Sequence, residues 1–119
     1  MLYDLEERTS KFGENIIVFV KGIKKDIINE PLIKQIVRSA TSIGANYREA
    51  NSASSKKDFR NKIFISQKES NETKHWLQMI VKSNPEITEN ARILWKEAHE
   101  LTLIFGKILS NLKNEGLKN

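Results

Sequence analysis

Residues 87–112 read ITENARILWKEAHELTLIFGKILSNL, and in them Ile87, Ala91, Leu94, Ala98, Leu101, Phe105, Ile108 and Leu112 recur at alternating steps of four and three. Such steps average close to the 3.6-residue turn of an α-helix, so all eight side chains fall on one stripe. A strand would show period 2, which this stretch lacks. A stripe kept without error over nearly four heptads specifies a long helix laid against other helices. The expected fold class is therefore all-α.

Upstream of this stretch three more amphipathic segments occur, parted by short breaks. In the first, Leu5, Phe12, Ile16, Phe19, Val20, Ile23 and Ile27 form the stripe. Lys21, Lys24 and Lys25 sit near its C-terminal end, where positive charge complements the helix dipole. The break Asn29-Glu30-Pro31 then offers Asn29 as an N-cap and Pro31 in a first turn, where its missing N–H has no helical partner. The second segment has an apolar stripe of Ile33, Ile36/Val37, Ala40, Ile43/Gly44, Tyr47 and Ala50. Beside it runs a face of Ser39, Ser42, Asn46 and Glu49, small enough for a neighbouring helix to come close and polar enough to hydrogen-bond across the gap.

After Ser54, the run Ser55-Lys56-Lys57-Asp58 resembles a capping box with Asp in place of Glu. It opens a third segment whose stripe, Phe59, Ile63, Ser66, Ser70, Thr73, Leu77 and Ile80, is polar in its middle. Ile65, Glu69, Glu72, Trp76 and Met79 make a second stripe on it. Ser83-Asn84-Pro85 is the last break. Helices are expected over about residues 4–28, 31–52, 56–82 and 86–114 of a single domain spanning 1–119, with a frayed tail from Gly116. Short breaks between long helices force antiparallel neighbours, which gives an up-down-up-down four-helix bundle.

The chain has 119 residues, five Gly, two Pro and no Cys, with 39% hydrophobic and 29% charged residues. Disulfides and thiolate metal sites are excluded. Its longest apolar run, Ile16 to Val20, is far short of the roughly 20 residues that cross a bilayer. The acidic start Asp4-Leu5-Glu6-Glu7 is unlike a signal peptide, and a cytoplasmic location without membrane contact is expected. Net charge is +5, with 11 basic and 8 acidic groups in residues 1–60, so the excess is spread rather than gathered in a tail. Such a balance permits RNA, DNA or another anionic partner.

No nucleophile elbow, Gly-rich phosphate loop or Ser/His/Asp constellation is present, and no enzyme activity or cofactor is expected. Glu72-Thr73-Lys74-His75 has the Glu-x-x-His spacing of bundle di-iron sites, but His99 is preceded three residues earlier by Lys96, so the ligand set is incomplete and no metal is expected. Glu69 and Glu72 read as structural rather than catalytic carboxylates. Antiparallel pairing about a turn near residue 54 sets Glu69 opposite Ser39 and close to Arg38, and a carboxylate beside Trp76 needs such a partner. Arg48, Lys56, Lys57, Arg60 and Lys62 gather at the second turn, offset locally by Glu49 and Asp58, and are the candidate nucleic-acid contacts; the competing reading is a solvated corner. Ile17, Ile28, Phe64, Ile65, Ile93, Trp95, Leu103 and Ile104 lie off the main stripes, more apolar surface than one bundle needs, and point to self-association.

Gln35-Ile36-Val37-Arg38-Ser39-Ala40-Thr41-Ser42-Ile43-Gly44-Ala45-Asn46-Tyr47-Arg48-Glu49-Ala50 resembles the signature segment of bacterial four-helix-bundle proteins encoded in 23S rRNA intervening sequences, also labelled S23 ribosomal proteins. Lys68-Glu69-Ser70-Asn71-Glu72-Thr73-Lys74-His75-Trp76-Leu77 is similar to that family's second motif. His75 stands where an aromatic is usual, and Tyr47-Arg48 replaces Ile-Ala. The resemblance spans about residues 5–113 and implies a bundle that assembles as a homopentamer. It extends to accessory proteins of diversity-generating retroelements, a branch that binds a reverse transcriptase and nucleic acid. Arg38, Ser39, Ser42, Asn46, Glu49, Glu69, Glu72 and Trp76 carry over as a scaffold signature, not as an active site. The expected function is a non-enzymatic oligomer that meets RNA or DNA through basic patches; the alternative is a protein-interaction scaffold without a nucleic-acid role.

Overall fold

A computed structural model describes the backbone of residues 4–118 and the side chains of residues 4–115. Helix α1 is Leu5–Lys21, α2 Asn29–Asn51, α3 Lys56–Ser83 and α4 Thr88–Lys118, with one 3₁₀ turn at Pro85–Ile87 before α4. The starts follow from local chemistry. The Asp4 carboxylate accepts from the backbone N–H groups of Glu6 and Glu7 at 3.0 and 3.3 Å, satisfying two donors that a helix N-terminus leaves open. Ser55 Oγ accepts from Asp58 N–H at 3.0 Å and opens α3 in the same way.

Two expected boundaries are corrected. α1 ends at Lys21, not at residue 28. Gly22 and Ile23 donate to Phe19 and Val20 carbonyls at 3.2 and 3.1 Å, the tightened bonds of a closing turn. Asp26 then takes the N–H groups of Ile28 and Asn29 at 3.0 and 2.7 Å, so Asp26, not Asn29, launches α2. Ile23 still folds inward, 5% exposed, whereas Ile27 leaves the stripe altogether at 88%. At the other end α4 begins at Thr88 after the 3₁₀ turn and continues through Lys118, where a frayed tail was expected. A single glycine such as Gly116 weakens a helix by only about 1 kcal/mol and does not stop it.

The four helices form a square bundle. Each packs on its chain neighbours, α4 closes onto α1 through the slightest of the four seams, and across the α2–α4 diagonal the Tyr47 and Phe105 rings meet with centroids 5.9 Å apart. Arg38 of α2 pairs with Glu69 of α3, while Glu49, later in α2, pairs with Lys62, earlier in α3; the two helices are antiparallel. At 1.5 Å per residue α4 spans about 46 Å, most of the 53 Å long axis of the molecule.

Phe12, Ile16, Ile36, Ile43, Ile63, Leu77, Ile80, Leu101 and Phe105 form a core closed to water. Burial of each stabilises the fold by about 1.5–3 kcal/mol. Along the heptad stripe Ala91, Leu94, Ala98, Leu101 and Phe105 are buried, and Ile87, Ile108 and Leu112 are half-buried toward the ends. The polar middle of α3 is answered in full. Ser66 Oγ donates to the Ile43 carbonyl at 2.9 Å, Thr73 Oγ1 and Ser39 Oγ lie 2.8 Å apart, and Thr102 Oγ1 donates to Ser70 Oγ at 3.0 Å. Between α1 and α2, a Cβ on Gly44 would lie 3.2 Å from Thr9 Oγ1, so only glycine permits this approach without a shift.

Candidate interaction surfaces

On the outer α2–α3 seam, Arg38 holds two carboxylates. Its Nη1 donates to both oxygens of Glu69 at 3.2 Å, and its Nη2 donates to Glu72 Oε1. Nε donates to Gln35 Oε1 at 3.2 Å, and Trp76 Nε1 donates to Glu72 Oε1 at 3.3 Å. Glu69 is buried, and a guanidinium nitrogen shared between its two oxygens supplies the charged partner that a desolvated carboxylate requires. Of the small polar face, Ser39 and Glu49 reach across to α3. Ser42 and Asn46, expected to do the same, bond back to their own helix at the Arg38 and Ser42 carbonyls, at 2.6 and 2.9 Å.

At the α2–α3 turn the five expected cations come together, but with more company than their neighbours in sequence supply. Lys62 Nζ lies 2.9 Å from Glu49, and that contact, aided by Asp58, raises the Lys62 pKa above its ordinary value. Arg48 is 3.8 Å from Glu6 of α1, and Lys56 is 4.0 Å from Glu115 of α4. Two distant carboxylates thus join Glu49 and Asp58 in offsetting the corner. Lys57 and Arg60 are exposed and have no ion pair among the described residues.

Further contacts join residues that the sequence analysis left unpaired. Arg8 of α1 donates to Glu97 and Glu100 of α4 at 2.7 and 2.9 Å, bridging the slight α1–α4 seam. On the α3–α4 seam His99 stacks on Trp95 with ring centroids 5.2 Å apart. Lys74 Nζ lies 3.0 Å from His99 Nδ1 and 5.1 Å over the Trp95 ring. Trp95 Nε1 is buried without an acceptor, the one such side-chain atom among the described residues. A buried donor left unpaired costs about 1–3 kcal/mol. His75 is exposed and meets Trp76 edge-on. Among the described residues no three His, Asp or Glu side chains converge as metal ligands, and no helix is long and apolar enough to cross a membrane.

The model of the 23S rRNA-intervening sequence protein family matches residues 4–107, all of α1 to α3 and most of α4. The chain belongs to that family. A solved structure from the same family, a protein of unknown function of the S23 ribosomal protein family from Bacteroides thetaiotaomicron, is 32% identical. It superposes with a TM-score of 0.78 over 89% of this chain and 98% of its own. No significant match is found among curated proteins. The 23S rRNA-intervening sequence family thus brings a shared fold to this chain.

Outside the core the apolar surplus is uneven. Ile65, Trp95 and Ile104 are half-buried, whereas Ile17, Ile28, Phe64, Ile93 and Leu103 remain exposed, joined by Val18, Ile27 and Met79. Val18 escaped the sequence reading because it follows directly on stripe residues in an unbroken apolar run.

Proposed function

We propose that this member of the 23S rRNA-intervening sequence family is a non-enzymatic self-assembling bundle, a homopentamer as the family resemblance implies, that contacts RNA or DNA in the cytoplasm. The observation that carries the assembly is the exposure of Val18, Phe64, Ile93 and Leu103 on the outer faces of α1, α3 and α4. Large apolar side chains on three helices of so small a domain are the usual mark of surfaces covered by a partner. The absence of catalysis is supported by Glu69, both of whose oxygens are engaged by Arg38, and by Glu72, whose Oε1 accepts from Arg38 and Trp76.

Light scattering tests the assembly. The expected mass is five times the 13.7 kDa chain, and a monomer at micromolar concentration overturns it. Nucleic-acid contact rests on Lys57 and Arg60, the cations of the corner with no ion pair among the described residues. Phosphate contacts release counterions, so affinity for a structured RNA falls steeply with salt, and Lys57→Glu with Arg60→Glu abolishes it while assembly persists. The second reading, a protein-interaction scaffold with no nucleic-acid role, is favoured by the carboxylates that already engage Arg48, Lys56 and Lys62. Absence of RNA and DNA binding at low salt, with the oligomer intact, selects it.

A further inference from the structure

An open groove of about 500 Å³ lies between the C-terminal half of α3 and the N-terminal half of α4. Leu77 and Val81 on one side and Ala91 and Trp95 on the other make its walls apolar, while Arg92 and Lys96 stand at its edge. This volume is within the range of small-ligand sites, which combine apolar walls with a few directional polar groups.

Charge decides which ligand fits. No carboxylate lines the groove. Arg92 has one exposed partner, Glu89 at 2.9 Å, an arrangement that water and salt weaken readily. Lys96 has no ion pair among the described residues. Two cations therefore face one exposed carboxylate around an apolar trough. The indole supplies a second, independent signal. Its Nε1 donor is buried with no acceptor among the described residues, so an acceptor brought into the groove by a ligand would answer it.

We propose that the α3–α4 groove binds a compact amphiphilic anion, an apolar body ending in a carboxylate, with the body against Leu77, Val81 and Ala91 and the carboxylate at Arg92 and Lys96. The Trp95 N–H is the positioning donor. An apolar ligand without charge leaves the cations unused, and an amphiphilic cation meets them with repulsion.

The test uses the full chain, ¹⁵N-labelled, with octanoate as the probe and octylamine as its charge-inverted control. The Trp95 indole N–H resonance, assigned with Trp95→Phe, moves saturably with octanoate and stays in place with octylamine. Arg92→Glu with Lys96→Glu, both at exposed positions, weakens octanoate binding at least about tenfold, the scale of lost hydrogen bonds to charged groups. Equal responses to both amphiphiles overturn the proposal, because the groove is then an unselective apolar surface. A resonance unmoved by octanoate also overturns it. Where that insensitivity comes with an oligomer that dissociates on the double charge reversal, the groove is covered by a second copy of the chain.

Discussion

Asn29 and Asn84 exchange two amide hydrogen bonds, each Nδ2 donating to the other's Oδ1, at 3.0 and 2.9 Å in a buried site. Each also donates to a nearby carbonyl, Asn29 to Lys24 in the α1–α2 loop and Asn84 to Ile80 in the last turn of α3, both at 2.9 Å. The α1–α2 loop is thereby clasped to the end of α3. Asn84→Ala leaves a buried amide without its partner and lowers stability by about 2 kcal/mol. Asn29→Leu combined with Asn84→Leu costs less than the two single changes added together, since no orphan remains. Urea unfolding of the parent, Asn84→Ala, the two single Leu variants and the double variant reads both effects, and additive single changes would dissolve the clasp.

Arg38 and Arg48 sit three turns apart on α2 and differ in what they leave behind. Removing Arg38 strands the buried Glu69, whereas removing Arg48 frees a half-exposed Glu6 that water solvates. Arg38→Ala is expected to cost about 1–3 kcal/mol, reduced from the fully buried case because Arg38 itself is half in solvent. Arg48→Ala costs below about 0.5 kcal/mol. Equal losses in thermal unfolding would contradict this ranking.

Lys62 gives a pH signature. Its pKa is raised above the ordinary 10.5 by the hydrogen bond and charge of Glu49. A raised lysine pKa means the folded state holds the proton more tightly than the unfolded one. The contribution is therefore complete below about pH 10.5 and is lost as pH climbs through the raised value. Urea midpoints followed from pH 9 to pH 12 fall more gently in Glu49→Gln than in the parent. Parallel curves would remove the pair from the stability balance.

Two glycines in helix interiors respond oppositely to alanine. At Gly106 the added Cβ meets only the Gln67 amide, at 2.9 Å, the far end of a flexible side chain. That amide makes a weak 3.5 Å bond to the Thr102 carbonyl and can swing away. Gly106→Ala gains about 0.5–1 kcal/mol from helix propensity. Gly44→Ala meets Thr9 Oγ1 at 3.2 Å with the α1 backbone close behind, and the same gain is offset or reversed. Differential scanning calorimetry separates the signs.

The helices were legible because periodicity is local. The eight-residue stripe of α4 and the Ser55 cap needed nothing from elsewhere in the chain. The end of α1 was not legible by the same logic, since Ile23 and Ile27 keep the spacing although only Ile23 is buried. What decides there is competition from Asp26 for the next N–H groups. The pairing of Arg38 with Glu69 could be reached from the turn position, because α2 and α3 are consecutive. The carboxylates on the basic corner could not, because Glu6 and Glu115 arrive from the two ends of the chain. Trp95 was read as surplus surface; His99 follows it by four residues on α4, a spacing that lets the rings meet, whereas nothing local signals that Lys74 of α3 would lie over the indole.

The slight α1–α4 seam gives the molecule a direction in which to come apart. α1 is the shortest helix, and Arg8 with Glu97 and Glu100 does across that seam what apolar ridges do elsewhere. Ion pairs are screened by salt, and burial is not. Rising ionic strength therefore loosens one helix of the bundle before the other three, and the first segment to yield its amide protons to solvent is α1.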